Sequence, residues 1–176
     1  AAAFAASADA IVFTVAPHEQ LTWHDRRTGA RHPLGAPGRF QTLDLSRDGR
    51  TVVVGAEEGS SSSLWLVDAE LGGLTRLTSG ATVDIDPRWS PSGDQVIFGS
   101  RRAPGRAPFK VGVRDLTIAP VFPFAGNNFS LDDWSADGRW LVYHDAGVPR
   151  LFARRIDPPG EPSLVAQSAG GAIDQA

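Results

Sequence analysis

One motif recurs along the chain, and that recurrence limits the fold more than any other feature. Its fullest copy is DIDPRWSPSGDQVIFGS, residues 84–100. LDLSRDGRTVVVGA (43–56) and LDDWSADGRWLVYHD (131–145) are worn versions, and FAASADAIVFTVA (4–16) is a fainter one. Anchored on Ser7, Ser46, Ser90 and Ser135, the copies lie 39, 44 and 45 residues apart. A second landmark follows each copy, an Asp that closes a short apolar run: Asp25, Asp68, Asp115 and Asp157, spaced by 43, 47 and 42. Two landmarks with one period describe a repeat architecture.

Within a repeat every local signal is β. A strand runs into Ser-Arg-Asp-Gly-Arg or Ser-Ala-Asp-Gly-Arg, where Asp-Gly admits the positive φ of a tight hairpin. TVVVGA (51–56), QVIFGS (95–100) and WLVYH (140–144) follow, short and rich in β-branched or aromatic residues. They do not alternate apolar with polar, so both faces of these strands are expected to be buried. A third strand ends in the landmark Asp. A fourth is expected in ARHPLG, LTRLTSG, VFPFAG and SLVAQ. Four antiparallel strands per unit of about 40–45 residues, with covered middle strands, predict an all-β propeller. Blades are expected over about 1–37, 38–80, 81–126 and 127–170, within a single region spanning 1–176. A β-sandwich would show one wet, alternating face instead.

DPRWSPSGDQVIFGSR resembles the TolB-type, WD40-like repeat known as PD40, whose core is Asp-Pro-x-Trp-Ser-Pro-Asp-Gly followed by an apolar strand. Asp86, Pro87, Trp89, Ser90, Pro91 and Gly93 match, and Ser92 stands where the family has Asp. Ser46, Asp48 and Gly49, and Ser135, Asp137 and Gly138, match in the other copies, which lack the prolines. The resemblance covers the whole chain. It implies a bacterial propeller of the kind found in periplasmic TolB, in domains fused to Ser/Thr kinases, and in the gating propellers of prolyl-oligopeptidase-like serine hydrolases. The order of segments is most similar to the kinase-fused group. Such propellers close with six or more blades and four fit here. An excised part of a larger propeller is therefore expected, with a four-bladed ring or a self-assembling pair of halves as alternatives. The absence of methionine fits the same expectation.

Composition excludes several classes. A net charge of −3 gives no reason to invoke nucleic acid or an anionic membrane. No apolar run has the length of a membrane helix, and AAAFAASADA lacks the basic start and long apolar centre of a signal peptide. Without cysteine there is neither a disulfide nor a Cys-bound metal. Lys110 is the sole lysine against sixteen arginines, a bias suggesting a GC-rich bacterial genome. No Gly-x-Ser-x-Gly, phosphate loop, kinase Gly-rich loop or His-Glu-x-x-His is present, so this chain is expected to be noncatalytic.

Function is therefore expected on irregular loops carried by a rigid scaffold. The turns between first and second strands are short and formulaic. The turns between second and third strands, with the blade-to-blade linkers, are longer and share the other end, which is the face chosen here. Asp44, Asp84, Asp86, Arg88, Asp132 and Asp133 mark the channel rim, where they could hold a partner's basic group or a small ligand. Their carboxylates would suit calcium, although no Asp-x-Asp-x-Asp-Gly loop sharpens that idea, and no cofactor is assigned. Arg101, Arg102 and Arg106 mark a loop able to hold an acidic partner or phosphate. EEGSSSS (57–63) reads as a flexible polar loop. His18, His24, His32 and His144 read as surface residues rather than a zinc site. The overall expectation is an interaction or sensor module of a larger bacterial protein, periplasmic or otherwise extracytoplasmic, with the cytoplasm as the alternative.

Overall fold

The computed structural model describes residues 4–15, 20–102, 104–124, 128–145 and 150–167. Every regular element among them is a strand, and the strands form four antiparallel four-stranded sheets in sequence order. Blade 1 comprises β1 (Phe4–Ala6), β2 (Ala10–Val15), β3 (Gln20–Asp25) and β4 (Arg31–Leu34). Blade 2 comprises β5 (Phe40–Leu45), β6 (Thr51–Glu58), β7 (Ser61–Asp68) and β8 (Leu74–Arg76). Blade 3 comprises β9 (Asp84–Trp89), β10 (Gln95–Ser100), β11 (Ala107–Gly112) and β12 (Ile118–Pro120). Blade 4 comprises β13 (Phe129–Trp134), β14 (Trp140–Asp145), β15 (Arg150–Ile156) and β16 (Pro159–Gln167). The first strand of each blade lies beside the first strand of the next, so β1, β5, β9 and β13 line the centre.

The serine landmark works as a turn clamp. Ser46 Oγ accepts from Thr51 N at 2.9 Å and donates to Asp48 at 2.7 Å, while Gly49 takes φ 70°. Ser135 repeats this with Trp140 N at 2.9 Å and Asp137 at 2.6 Å. The third copy has Ser92 in place of the acidic residue, and Asp94 on the far side of Gly93 accepts from Ser90 at 2.9 Å instead. The donated hydroxyls hold Asp48, Asp94 and Asp137 below the usual carboxylate range. In blades 1 and 2 the second landmark caps the turn between third and fourth strands. Asp25 Oδ1 accepts from Arg27 N and Thr28 N, both at 2.8 Å, and Asp68 Oδ1 accepts from Glu70 N at 2.9 Å and Leu71 N at 2.7 Å.

Burial explains the unbroken apolar runs. Val52 and Val54 point into the layer between blades 1 and 2, and Val53 points into the layer between blades 2 and 3; all three are fully buried. Val96 and Phe98 face blade 2, whereas Ile97 joins Phe122, Phe129, Leu131, Leu141 and Tyr143 in the layer between blades 3 and 4. The outward faces of the end blades keep apolar residues in solvent, Phe4 at one end and Leu164 and Val165 at the other.

Two segments depart from the sequence expectation. EEGSSSS is not a flexible loop: β6 runs to Glu58, β7 starts at Ser61, and Ser62 and Ser63 are buried. Ser62 Oγ donates to the buried Asp84 carbonyl at 3.1 Å, and Arg76 donates to Ser63 Oγ at 3.0 Å, so both hydroxyls are partnered. The fourth strand of blade 3 is Ile118–Pro120, earlier than VFPFAG. Leu116 N donates to the Gly112 carbonyl at 3.0 Å, which closes the turn early, and Phe122 then drops into the core.

Candidate functional site: the mouth of the central channel

The inner strands do not hydrogen-bond to one another as a sheet; each blade's ladder ends at its first strand. Their central edges therefore carry amide groups that need partners. Side chains from the neighbouring blade supply several of them. Asp44 Oδ2 accepts from Trp89 N at 2.8 Å, Thr42 Oγ1 accepts from Asp86 N at 3.1 Å, and Arg88 Nε donates to the Asp132 carbonyl at 2.9 Å. Thus polar residues on the channel strands join one blade to the next.

Register shows which of these residues are equivalent. Asp44 pairs with Val53, Arg88 with Ile97, Asp133 with Val142, and in blade 1 Ala5 with Val12. This is one position in four blades, near the C-terminal end of each inner strand. Asp44, Arg88 and Asp133 meet there around a cavity of about 460 Å³, with Ala6, Arg47, Trp89 and Trp134 among its other lining residues. The cavity lies at the end of the short serine turns, not at the longer-loop end favoured from sequence. Asp44 is half-buried, and burial pushes its carboxyl above the usual range against the Trp89 amide and the Arg88 charge. The Arg88 guanidinium is spent on two carbonyls, Asp132 at 2.9 Å and Pro87 at 2.8 Å, and forms no carboxylate pair among the described residues. Asp133 is exposed, and its Oδ1 accepts from Trp134 N at 2.8 Å.

The other expected rim residues lie elsewhere. Asp84 is fully buried at the opposite end of β9; its Oδ1 accepts from Ser100 Oγ at 2.7 Å and Arg102 at 2.5 Å, and Oδ2 has no partner. Arg102 also donates to the Ser79 carbonyl at 3.0 Å and lies 5.7 Å over the Phe98 ring. Asp86 holds φ 55°, accepts from Ser130 Oγ at 2.9 Å and sits 3.8 Å from Arg106. Burial draws the Arg106 guanidinium below its usual range, with Asp86 opposing. Asp132 is the extra residue of a β-bulge and meets His144 Nδ1 at 2.8 Å. Arg102 and Arg106 are therefore turned inward onto carboxylates, and of the three loop arginines Arg101 alone is exposed. Among the described residues no three of His, Cys, Asp and Glu gather to hold a metal ion. His18 and the loop segments 16–19, 125–127 and 146–149 lie outside the described residues.

Sequence reasoning missed Arg47, Trp89 and Trp134 as walls of the mouth. The signal was available in the repeat alignment, because Trp89 and Trp134 immediately follow the equivalent Arg88 and Asp133.

No protein-family model matches the chain. An uncharacterized protein of Agrobacterium fabrum is 28% identical over 116 residues, covering 60% of this chain and 40% of that protein. TolB from Acinetobacter baumannii superposes with a TM-score of 0.77 at 19% identity, over 96% of this chain and 43% of that one. An oligogalacturonate lyase in complex with manganese superposes at 0.71 with 15% identity, over 97% of this chain and 55% of that one. The chain thus spans about two fifths of the curated relative and of that TolB. These likenesses show the fold, a TolB-like, WD40-like β-propeller module; the link to a kinase-fused group is not among them.

Proposed function

We propose that this chain is a noncatalytic binding module of a larger extracytoplasmic bacterial protein, and that its channel mouth receives a charged segment of a protein partner. The observation that carries this reading is the position shared by Asp44, Arg88 and Asp133. Equivalent strands bring three charged side chains to one cavity, and none of the three forms an ion pair among the described residues. Asp44 and Arg88 also tether neighbouring blades through backbone groups, whereas exposed Asp133 contacts only the adjacent Trp134 amide and is the charge most open to a ligand. A carboxyl raised by burial beside an accessible cavity is a common mark of a binding site. The resemblance to periplasmic TolB supports the compartment.

The test is selection of binding peptides from a random library against the full chain. Peptides bound at the mouth lose affinity for Asp133→Ala, at an exposed position, and for Arg88→Ala, whose loss of an inter-blade tether is checked by its melt. Peptides that bind both variants as well as the parent would remove the mouth as the site. The enzymatic reading is checked by incubating the chain with oligogalacturonate, with and without manganese. No product is expected, and turnover would replace the binding-module reading. A melting temperature unchanged by EDTA and by calcium is expected for a module with no resident cation.

A further inference from the structure

We infer that the cleft between blades 1 and 2, on the outer part of the serine-turn end, is a saccharide-binding site. It is a cavity of about 690 Å³ lined by Trp23, His32, Gly49, Arg50, Asp68, Ala69 and Glu70, within the range of about 300–1,000 Å³ typical of small-molecule sites. One wall comes from blade 1. There Trp23 on β3 and His32 on β4 are cross-strand partners, with rings stacked 6.3 Å apart and an interplanar angle of 29°. The opposite wall comes from two turns of blade 2, and the Ala69 N–H donated to the Arg50 carbonyl at 2.9 Å locks those turns together. The blade 2 wall of the cleft is therefore preformed.

Comparison of the blades shows that the aromatic pair is not required by the repeat. Val12, Val53, Ile97 and Val142 are equivalent positions on the second strands. Their third-strand partners are Trp23, Leu66, Lys110 and Ala153, whose fourth-strand partners are His32, Thr75, Ala119 and Ser163. Blade 1 alone has two rings at these positions. The inner part of the Trp23 indole packs against the core between blades 1 and 2, as Leu66 does between blades 2 and 3, but the exposed imidazole stacked beside it has no counterpart in the other blades.

The polar groups of the cleft define the class of ligand. Arg50 and Glu70 are exposed, and the structure gives them only backbone hydrogen bonds: Arg50 N donates to Asp48 at 3.1 Å, and Glu70 N to Asp68 at 2.9 Å. Their side-chain donors and acceptors remain available to a ligand. A cationic ligand would meet Arg50, and an anionic one would meet Asp68 and Glu70. A neutral ring with one apolar C–H face and a rim of hydroxyls satisfies the whole set. Its face lies on the aromatic wall, and its vicinal hydroxyls bridge the guanidinium and carboxylate. Aromatic side chains serve such surfaces well because they combine a large apolar face with polar edges.

The experiment is an NMR titration of the full ¹⁵N-labelled chain with methyl α-D-glucopyranoside, methyl α-D-galactopyranoside and cellobiose into the millimolar range. At least one sugar is expected to shift the Trp23 indole N–H saturably. Arg50→Ala and Glu70→Gln, on exposed turns, are each expected to weaken that binding about tenfold without changing the melt. Arg139→Ala, the same turn position in blade 4, should leave it intact, as should Asp133→Ala at the channel mouth. No saturable shift with any of the three sugars overturns the proposal. So does a shift that survives both cleft variants, or saturation by N-acetyl-lysine amide where the sugars give none.

Discussion

Removing Arg102 is predicted to be more harmful than removing the carboxylate it serves. Asp84 is fully buried and Arg102 retains some exposure, with 21% of its side chain accessible. In Arg102→Ala, a carboxylate with one oxygen already unpartnered is left in the interior without its counter-charge. Breaking a buried pair from this side costs about 3–5 kcal/mol. The loss of the bond to Ser79 and of the contact with Phe98 acts in the same direction. In Asp84→Ala, Arg102 can turn to solvent, and the main penalty is the buried Ser100 hydroxyl without an acceptor, about 1–3 kcal/mol. The double variant leaves no stranded charge and should be no less stable than Arg102→Ala alone. Urea unfolding at pH 7, with slopes unchanged between variants, measures these differences. For a chain of this size, Arg102→Ala should lower Tm by about 6–20 °C. Equal losses in the two single variants, or an additive double variant, would refute the reasoning.

The remaining predictions concern single residues. Because burial raises the Asp44 carboxyl in the folded chain, the native state binds its proton more tightly than the unfolded state does. That stabilisation is present below the unfolded value near 3.8 and is lost as pH rises through the folded value. Asp44→Asn should therefore compare best with the parent at neutral pH and lose ground on acidification toward pH 4, as read from melts across that window. Ser62→Ala should cost about 1 kcal/mol, seen in urea unfolding, whereas a truly loose loop would show no change. Gly93→Ala should destabilise by about 1 kcal/mol because its φ of 74° disfavours a side chain, although the space beside it is open. A neutral result on a thermal melt would mean that the turn relaxes.

The fold was legible because propeller blades are built from local signals. Each serine turn and each capping Asp is specified within a few residues, and Val52, Val53 and Val54 report two-sided burial without reference to the rest of the chain. Early closure of the turn after Gly112 was less visible. It depends on Leu116 taking φ 56°, which a residue of that type rarely announces. The charged positions on the inner strands were also legible as a set, but their sorting was not. Bulges in β9 and β13 change which side chains reach the mouth, so Asp132 and Asp133, neighbours in sequence, have different surroundings. Arg102 and Arg106 looked like loop cations because their carboxylate partners sit 18 and 20 residues away, on the first strand of the blade. EEGSSSS was misread because composition does not reveal that the Ser62 hydroxyl finds a buried acceptor in the next blade.

The stitching of inner strands through side chains has a dynamic consequence. A sheet resists shear because many parallel amide bonds must fail together, whereas neighbouring blades here share only a few isolated tethers at the axis. Any rocking of one blade against the next is opposed by the apolar layers packed between them and should fall first on these tethers. The amide protons of Asp86 and Trp89, secured by Thr42 and Asp44 of the preceding blade, become reporters of that rocking. Their hydrogen exchange should exceed that of the ladder amides in β6 and β10, and a molecule wedged in the aperture should slow it.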